Sequence, residues 1–342
     1  MWHERLGHSS FGYLKKLLPK LFIKLSNSDF KCEVCELAKS HRVPFQISIN
    51  KSPAPFMVIH SDVWGPAKNL SLSDKRWFIS FIDDHTRVTW ICLMKSKSEV
   101  GLLFKQFHKM IATQYNSNIQ VLRSDNGGEF ISQELKQYLV DHGITHQTTC
   151  PYTPQQNGVA ERKNRQLLEV VRASLFGAHM PTRYWGEAIT AAVYLINRLP
   201  SSTLQFQTPL NVLHDAIKSP TMSNLPPKVF GCTTFVHLHK PLRNKLEPRA
   251  IKCVFVGYAQ HQKGYRCYHP PTHKLYVTLD VVFHEDKMYY STSERINDED
   301  NQGNLQAPKD NMYHLDAISE KYYTEPQSQE MIQLEPQPYT ED

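Results

Sequence analysis

Between Phe56 and Met94 the chain falls into three short runs of β-branched and aromatic residues, FMVIHSDV, WFISFIDD and RVTWICLM, divided by turn-forming residues. Such runs predict strands, because these side chains fit a pleated surface that is at least half buried. The period then lengthens. Over 97–115, Val100, Leu103, Phe104, Phe107 and Ile111 share one side of a helix. A fourth strand over 119–123 ends at Ser124, Asp125, Asn126 and Gly127. A helix near 132–142, a strand near 145–148 and two long helices, about 156–176 and 181–198, follow. Three strands, a helix, a strand and further helices make an α/β unit, a mixed sheet with helices on its faces.

Patterns on either side differ from this. Residues 1–45 hold a brief helical stripe (Phe11, Leu14, Leu17, Leu18) and a CxxC pair, and 47–55 read as a Ser/Pro-containing connector. After Leu225, Pro226 and Pro227, short strands return as VFGCTTFVHL, KCVFVGYA, GYRCYHP and KLYVTLDVVF, a spacing that suggests a small β-barrel. Beyond Asp286, Gln, Asn, Pro and acids dominate, and a disordered acidic tail is expected. The divisions are therefore 1–45, 46–215, 228–286 and 287–342.

Charge sharpens this picture. The net charge of +6 conceals an asymmetry: Glu285 to Asp342 carry −10 and the preceding 284 residues carry +16. A folded body that basic suits a polyanion such as double-stranded DNA, although a solubilising surface would look the same by charge alone. No apolar run of about 18 residues and no charged-then-apolar leader occurs, so neither a membrane span nor secretion is expected. Seven cysteines with only one close pair argue for a reducing compartment rather than a disulfide scaffold.

That pair has partners. His3, His8, Cys32 and Cys35 form H-x4-H-x23-C-x2-C. Two imidazoles and two thiolates are a tetrahedral, closed set for one structural Zn²⁺. Residues five apart on a continuous helix diverge by roughly 140°, so the two histidines need a break between them, and Gly7 can supply it. The bland alternative is two surface histidines beside an unrelated CxxC.

Three acids stand in distinctive frames: Asp62 in HSDVWGP, Asp125 in RSDNGGEF and Glu161 in QNGVAERKNR, with thirty-five residues between the last two. Carboxylates on rigid elements can hold a pair of Mg²⁺ (or Mn²⁺) ions for phosphoryl transfer. Taken singly, each has a plain explanation: a strand-end turn for either Asp, or an i,i+4 pair with Arg165 for Glu161. On the 156–176 helix, Asn164, Leu167, Leu168, Val171 and Leu175 form the stripe facing the sheet. Glu161 lies at its edge, with Arg165 and Arg172 near its own line, and Arg162 and Lys163 pointing more outward as weaker phosphate contacts. Asn157 opens the helix, where free N–H groups could receive a phosphate. Asp83, Asp84 and Glu129 compete as acids but read as structural, and His60 as a packed residue.

These frames, with WHERLGHSS, CEVCELAK, FVGYAQHQKGYRCYHP and LDVVFHE, resemble the integrase region of copia-type retrotransposon Pol polyproteins and the D,D-35-E signature of retroviral integrases. The resemblance implies an RNase H-like mixed-sheet core, preceded by a small helical HHCC zinc domain and followed by an SH3-like β-barrel. It implies that Asp62, Asp125 and Glu161 carry two metal ions and join DNA 3′-hydroxyls to target DNA. It also implies a homo-oligomer working in the nucleus, reached by way of cytoplasmic particles. No DTG or DSG protease motif and no YxDD motif is present, so the chain reads as the integrase region by itself. Two alternatives stand beside this: an inactive or co-opted fragment that binds DNA without joining it, and a ribonuclease H-type nuclease.

Overall fold

A computed structural model describes residues 2–21, 32–39, 51–150, 157–217, 224–238, 245–260 and 262–290. Residues 291–342 of the expected disordered tail and 47–50 of the 47–55 connector lie outside these residues. The described elements fall in one compact unit, Met1–Tyr289.

Three short helices come first, α1 (Trp2–Arg5), α2 (Phe11–Leu17) and α3 (Glu33–Lys39). The chain leaves α1 through Gly7 and His8, both left-handed at φ 61° and 57°, which is the expected break. Ser10 then caps α2 by accepting from the Tyr13 N–H.

The central sheet contains β1 (Val58–Trp64), β2 (Trp77–Asp83), β3 (Thr89–Met94), β4 (Val121–Ser124) and β5 (Thr145–Thr148), in the order β3-β2-β1-β4-β5. β2 is antiparallel to its neighbours β1 and β3, while β4 and β5 run parallel to β1. Strand order and sense are those of an RNase H-like core. Between β3 and β4 runs α4 (Val100–Tyr115), entered through a capping box of Ser96 and Glu99 and left through a left-handed Asn116. α5 (Gln133–Asp141) follows β4 and is capped by Ser132.

One face of the sheet buries Ile59, Ile79, Phe81 and Leu122 against Phe104, Phe107 and Ile111 of α4 and Leu135 and Leu139 of α5. Phe81 stacks on Phe107 with centroids 4.4 Å apart; burying one such side chain contributes about 1.5–3 kcal/mol. On the other face α6 (Gly158–Gly177) packs against β1 and β2, and α7 (Trp185–Ile196) against β3. α8 (Pro209–Ala216) adds Leu213 to the first core.

Two of the competing acids are consumed by this architecture. Asp83 accepts from the Phe56 and Thr86 N–H groups and from the Thr86 hydroxyl, closing the β2–β3 hairpin. Asp84 accepts from the Ser52 N–H and pairs with His60 and Arg87 at 3.0 Å each, and His60 is packed at 2% exposure.

A second five-stranded sheet, all antiparallel, contains β6 (Cys232–His237), β7 (Ala250–Tyr258), β8 (Tyr265–His269), β9 (Lys274–Thr278) and β10 (Val281–Met288), in the order β10-β6-β7-β8-β9. It encloses Cys232, Cys253, Cys267, Phe255 and Tyr265. Tyr194 of α7 lies on Tyr258 at 3.7 Å, and Glu187 of α7 faces Arg266 at 3.8 Å. Gly231, at φ 80°, meets Ala178 so closely that a Cβ would stand 2.3 Å from the alanine's own.

Candidate active site and metal cluster

Asp62 sits on β1 opposite Ser80 of β2. Its Oδ1 accepts from the Val63 N–H at 2.9 Å and its Oδ2 from Asn164 Nδ2 of α6 at 2.9 Å. Because β4 runs parallel to β1 with Arg123 opposite His60, the chain leaves β4 beside Asp62 and presents Asp125 there. The turn that follows is fixed at both ends. Asp125 Oδ1 accepts from the Gly127 N–H at 3.1 Å, and Asn126 Nδ2 donates to the Thr149 carbonyl at 2.7 Å. A Cβ on Gly127 would lie 3.0 Å from Asp125 Oδ1 and 2.9 Å from Glu129 Cδ, so any larger residue there would displace those two carboxylates.

Glu161 occupies the first turn of α6, which is anchored to the sheet through buried Ala160, Asn164, Leu167 and Val171. Among the described residues it makes no ion pair with Arg165, so the simple i,i+4 account of this acid fails. Burial, the Asp125 carboxylate and, more weakly, Glu161 push the Asp62 carboxyl up to about 6, against the opposing hydrogen bonds of Asn164 and Val63. Two neighbouring carboxylates that raise the cost of ionising Asp62 mark a site short of positive charge. The donors are all oxygen, which suits small hard cations.

The other expected contacts divide. Arg162, Arg165 and Arg172 are exposed on α6. Lys163 departs from expectation. It is half-buried, and burial together with the nearby Arg87 guanidinium lowers its ammonium to about 8. Asn157 is also corrected: it is 2% exposed and donates to the Ser61 carbonyl at 3.0 Å. It acts as a strut between α6 and β1 and has no surface to offer a phosphate. Sequence reasoning counted Asn164 as part of the apolar stripe. A polar residue in a buried stripe was the available sign of its role.

His3, His8, Cys32 and Cys35 converge, with all four ligand atoms within 4.8 Å of one another. His3 Nε2 is 3.1 Å from Cys35 Sγ and 3.2 Å from His8 Nδ1, and Cys32 Sγ is 3.3 Å from His8 Nδ1. A zinc tetrahedron with ordinary Zn–N and Zn–S bonds has edges of about 3.3–3.8 Å, so the spacing fits. His3 Nδ1–H donates to the Ser9 carbonyl at 3.0 Å, which leaves Nε2 as the lone-pair nitrogen, and the ring stacks on Phe11 at 4.5 Å.

Three family models match the chain: a GAG-pre-integrase domain over residues 1–40, an integrase core domain over 52–154 and a retroviral polymerase SH3-like domain over 232–297. The retrovirus-related Pol polyprotein from transposon TNT 1-94 of Nicotiana tabacum is 40% identical over 290 residues, 84% of this chain and 22% of the relative. That from transposon RE2 of Arabidopsis thaliana is 40% identical over 295 residues, 85% of this chain and 20% of the relative. The chain thus spans about a fifth of the length of the curated relatives it matches. Among solved structures, a chain of the simian T-cell lymphotropic virus intasome, in complex with a PP2A regulatory subunit, aligns at TM-score 0.48 and 17% identity, covering 82% of this chain and 97% of that one. Fold and domain order define the class, an RNase H-like integrase core between a pre-integrase and an SH3-like domain. The chain corresponds to the integrase region of retrovirus-related Pol polyproteins.

Proposed function

We propose that this chain is the catalytic integrase region of a copia-type element and carries out metal-dependent DNA strand transfer. The observation that supports the reading is the Asp62 carboxyl, raised to about 6 chiefly by burial and further by Asp125 at the end of β4 and Glu161 in the first turn of α6. Their oxygens would hold two Mg²⁺ or Mn²⁺ ions, which supply activation of a DNA 3′-hydroxyl and neutralisation of charge on the attacked phosphodiester. The chain's own residues do the rest. Asn164 and the Val63 N–H orient Asp62, the Gly127 N–H orients Asp125, and the α6 core holds Glu161. The nucleophile is the DNA's own hydroxyl, so no covalent enzyme intermediate forms.

Exposed Arg162, Arg165 and Arg172, with half-buried Lys163, line the same helix and supply phosphate contacts for double-stranded DNA. His3, His8, Cys32 and Cys35 hold one structural Zn²⁺, a set that fits by donor type and spacing. The unit works as a homo-oligomer on paired DNA ends in the nucleus. In domain terms the roles fall to 1–45 for zinc, 46–215 for catalysis and 228–286 for the SH3-like unit, with 287–342 as the acidic tail. No helix among the described residues is long and apolar enough to cross a membrane.

The test is end joining by the purified chain with Mg²⁺ or Mn²⁺ and pre-processed DNA ends. Joined products are expected, and Glu161→Gln should lower their rate by about a thousandfold or more. Joining that survives this substitution removes the assigned mechanism. Salt-sensitive DNA binding with no joining by either protein would establish the binding-only alternative.

A further inference from the structure

The turn that carries Asp125 has a second acid, Glu129, whose side chain is only 8% exposed. Its Oε1 accepts a 2.8 Å hydrogen bond from Lys97 Nζ, and that ammonium lies 4.9 Å from the centroid of the Trp77 ring. The lysine is thus held between a carboxylate and an aromatic face. Lys97 sits in the helical turn fixed by the Ser96/Glu99 capping box, directly ahead of α4. The other oxygen of Glu129 lies against the Asp125 turn: a Cβ on Gly127 would stand 3.0 Å from Glu129 Oε2 and 3.0 Å from Asp125 Oδ1. Those two oxygens therefore flank one glycine no more than about 6 Å apart, a range at which like charges in a half-buried place still repel.

We propose that Glu129 is a positioning residue for the Asp125 turn, and that Lys97 keeps its carboxylate out of the cation shell. The inference rests on the metal assignment of Asp62, Asp125 and Glu161 given above. Mg²⁺ and Mn²⁺ sites that transfer phosphoryl groups use few protein carboxylates and leave positions open for substrate oxygens. A fourth carboxylate free to swing inward would fill one of those positions. Neutralised by Lys97, Glu129 instead braces the glycine turn from behind, and the pair ties the start of α4 to the segment presenting Asp125. The net charge of the Lys97–Glu129 pair is zero. Each partner lost alone therefore leaves a charge of opposite sign beside the metals.

The experiment is calorimetric Mn²⁺ binding by the zinc-loaded full chain without DNA, followed by joining rates at saturating Mn²⁺. Lys97→Met exposes a negative charge and should tighten Mn²⁺ binding by about tenfold while slowing joining. Glu129→Gln leaves a positive charge and should weaken binding by about tenfold. The double variant should return to within about twofold of the parent affinity, since the local charge is zero again. A strut with no electrostatic role would shift both single variants in the same direction. That outcome, or no shift in either, overturns the proposal. Asp125→Asn separates the two levels: it should abolish binding at this site. If it leaves Mn²⁺ binding intact, the three-acid assignment falls as well, whatever the Lys97 and Glu129 variants show.

Discussion

The His3/His8/Cys32/Cys35 group packs four ligand atoms within 4.8 Å, yet α1 and α2 around it bury only Leu14. Asp62, Asp125 and Glu161 stand instead on the principal core of the chain, and no carboxylate group among the described residues is as compact as the His/Cys set. Neutral imidazoles and thiols tolerate crowding, whereas three carboxylates repel and are held by what lies behind them. In the first region the zinc proposed for this set would supply the stability that a core would give. In the second the core supplies the stability, and ionisation of Asp62 works against it.

The contrast is most exposed to test in the N-terminal region. Loss of zinc should remove nearly all of its folding free energy, since apparent binding at such sites amounts to about 10–16 kcal/mol. Metal analysis of the parent should give one zinc per chain. Cys35→Ser should bind none and lose amide protection at Leu14 in hydrogen exchange, while the exchange of β1 and β2 stays unchanged. Persistent protection of α2 in that variant would break the comparison.

A smaller effect is expected at Asp62. Its carboxyl is raised from 3.8 to about 6, so folding favours the protonated form. The Asp62 contribution to metal-free stability should be fully present below about pH 4 and be lost as pH climbs through 6. Asp62→Asn removes that decline and should raise metal-free stability at pH 7 by about 1–3 kcal/mol, measured by denaturant unfolding. A rotated Asn164 amide can accept from the new side chain, since Asn164 Oδ1 is buried without a hydrogen bond. In excess Mg²⁺ the order should reverse, because only the parent gains binding free energy. A metal-free Asp62→Asn protein that is less stable than the parent would contradict the idea of a site strained by its own charges.

The least effect should come from the helix surface. Arg165→Ala and Arg172→Ala should each weaken DNA binding several-fold and reduce the salt slope by about one. Zinc content and Mn²⁺ binding should not move. A slope identical to the parent's would remove these arginines from the interface.

Much of this was legible in the sequence, for physical reasons that can be named. α4 follows from its 3.6-residue period and β1 to β3 from their branched and aromatic runs, so the elements and their order could be anticipated. The three acids stood out through local frames. What failed was anything set by a distant partner. A helical wheel places Lys163 at an angle from the apolar stripe but carries no information that the β2–β3 hairpin brings Arg87 near it. Asn157 reads the same at a helix start whether it meets solvent or, as here, the Ser61 carbonyl of another element. Lys97 and Glu129 are 32 residues apart, and no periodicity connects them.

α6 has Glu161 in its first turn and is followed at its C-cap by Ala178, the residue against which Gly231 is seated. Its 20 residues make a helix about 30 Å long. The second sheet is therefore spaced from the acids by a ruler of fixed length, with a socket at one end that admits only hydrogen. A bulkier residue at 231 would unseat the sheet from that socket and leave the span between the two ends undefined.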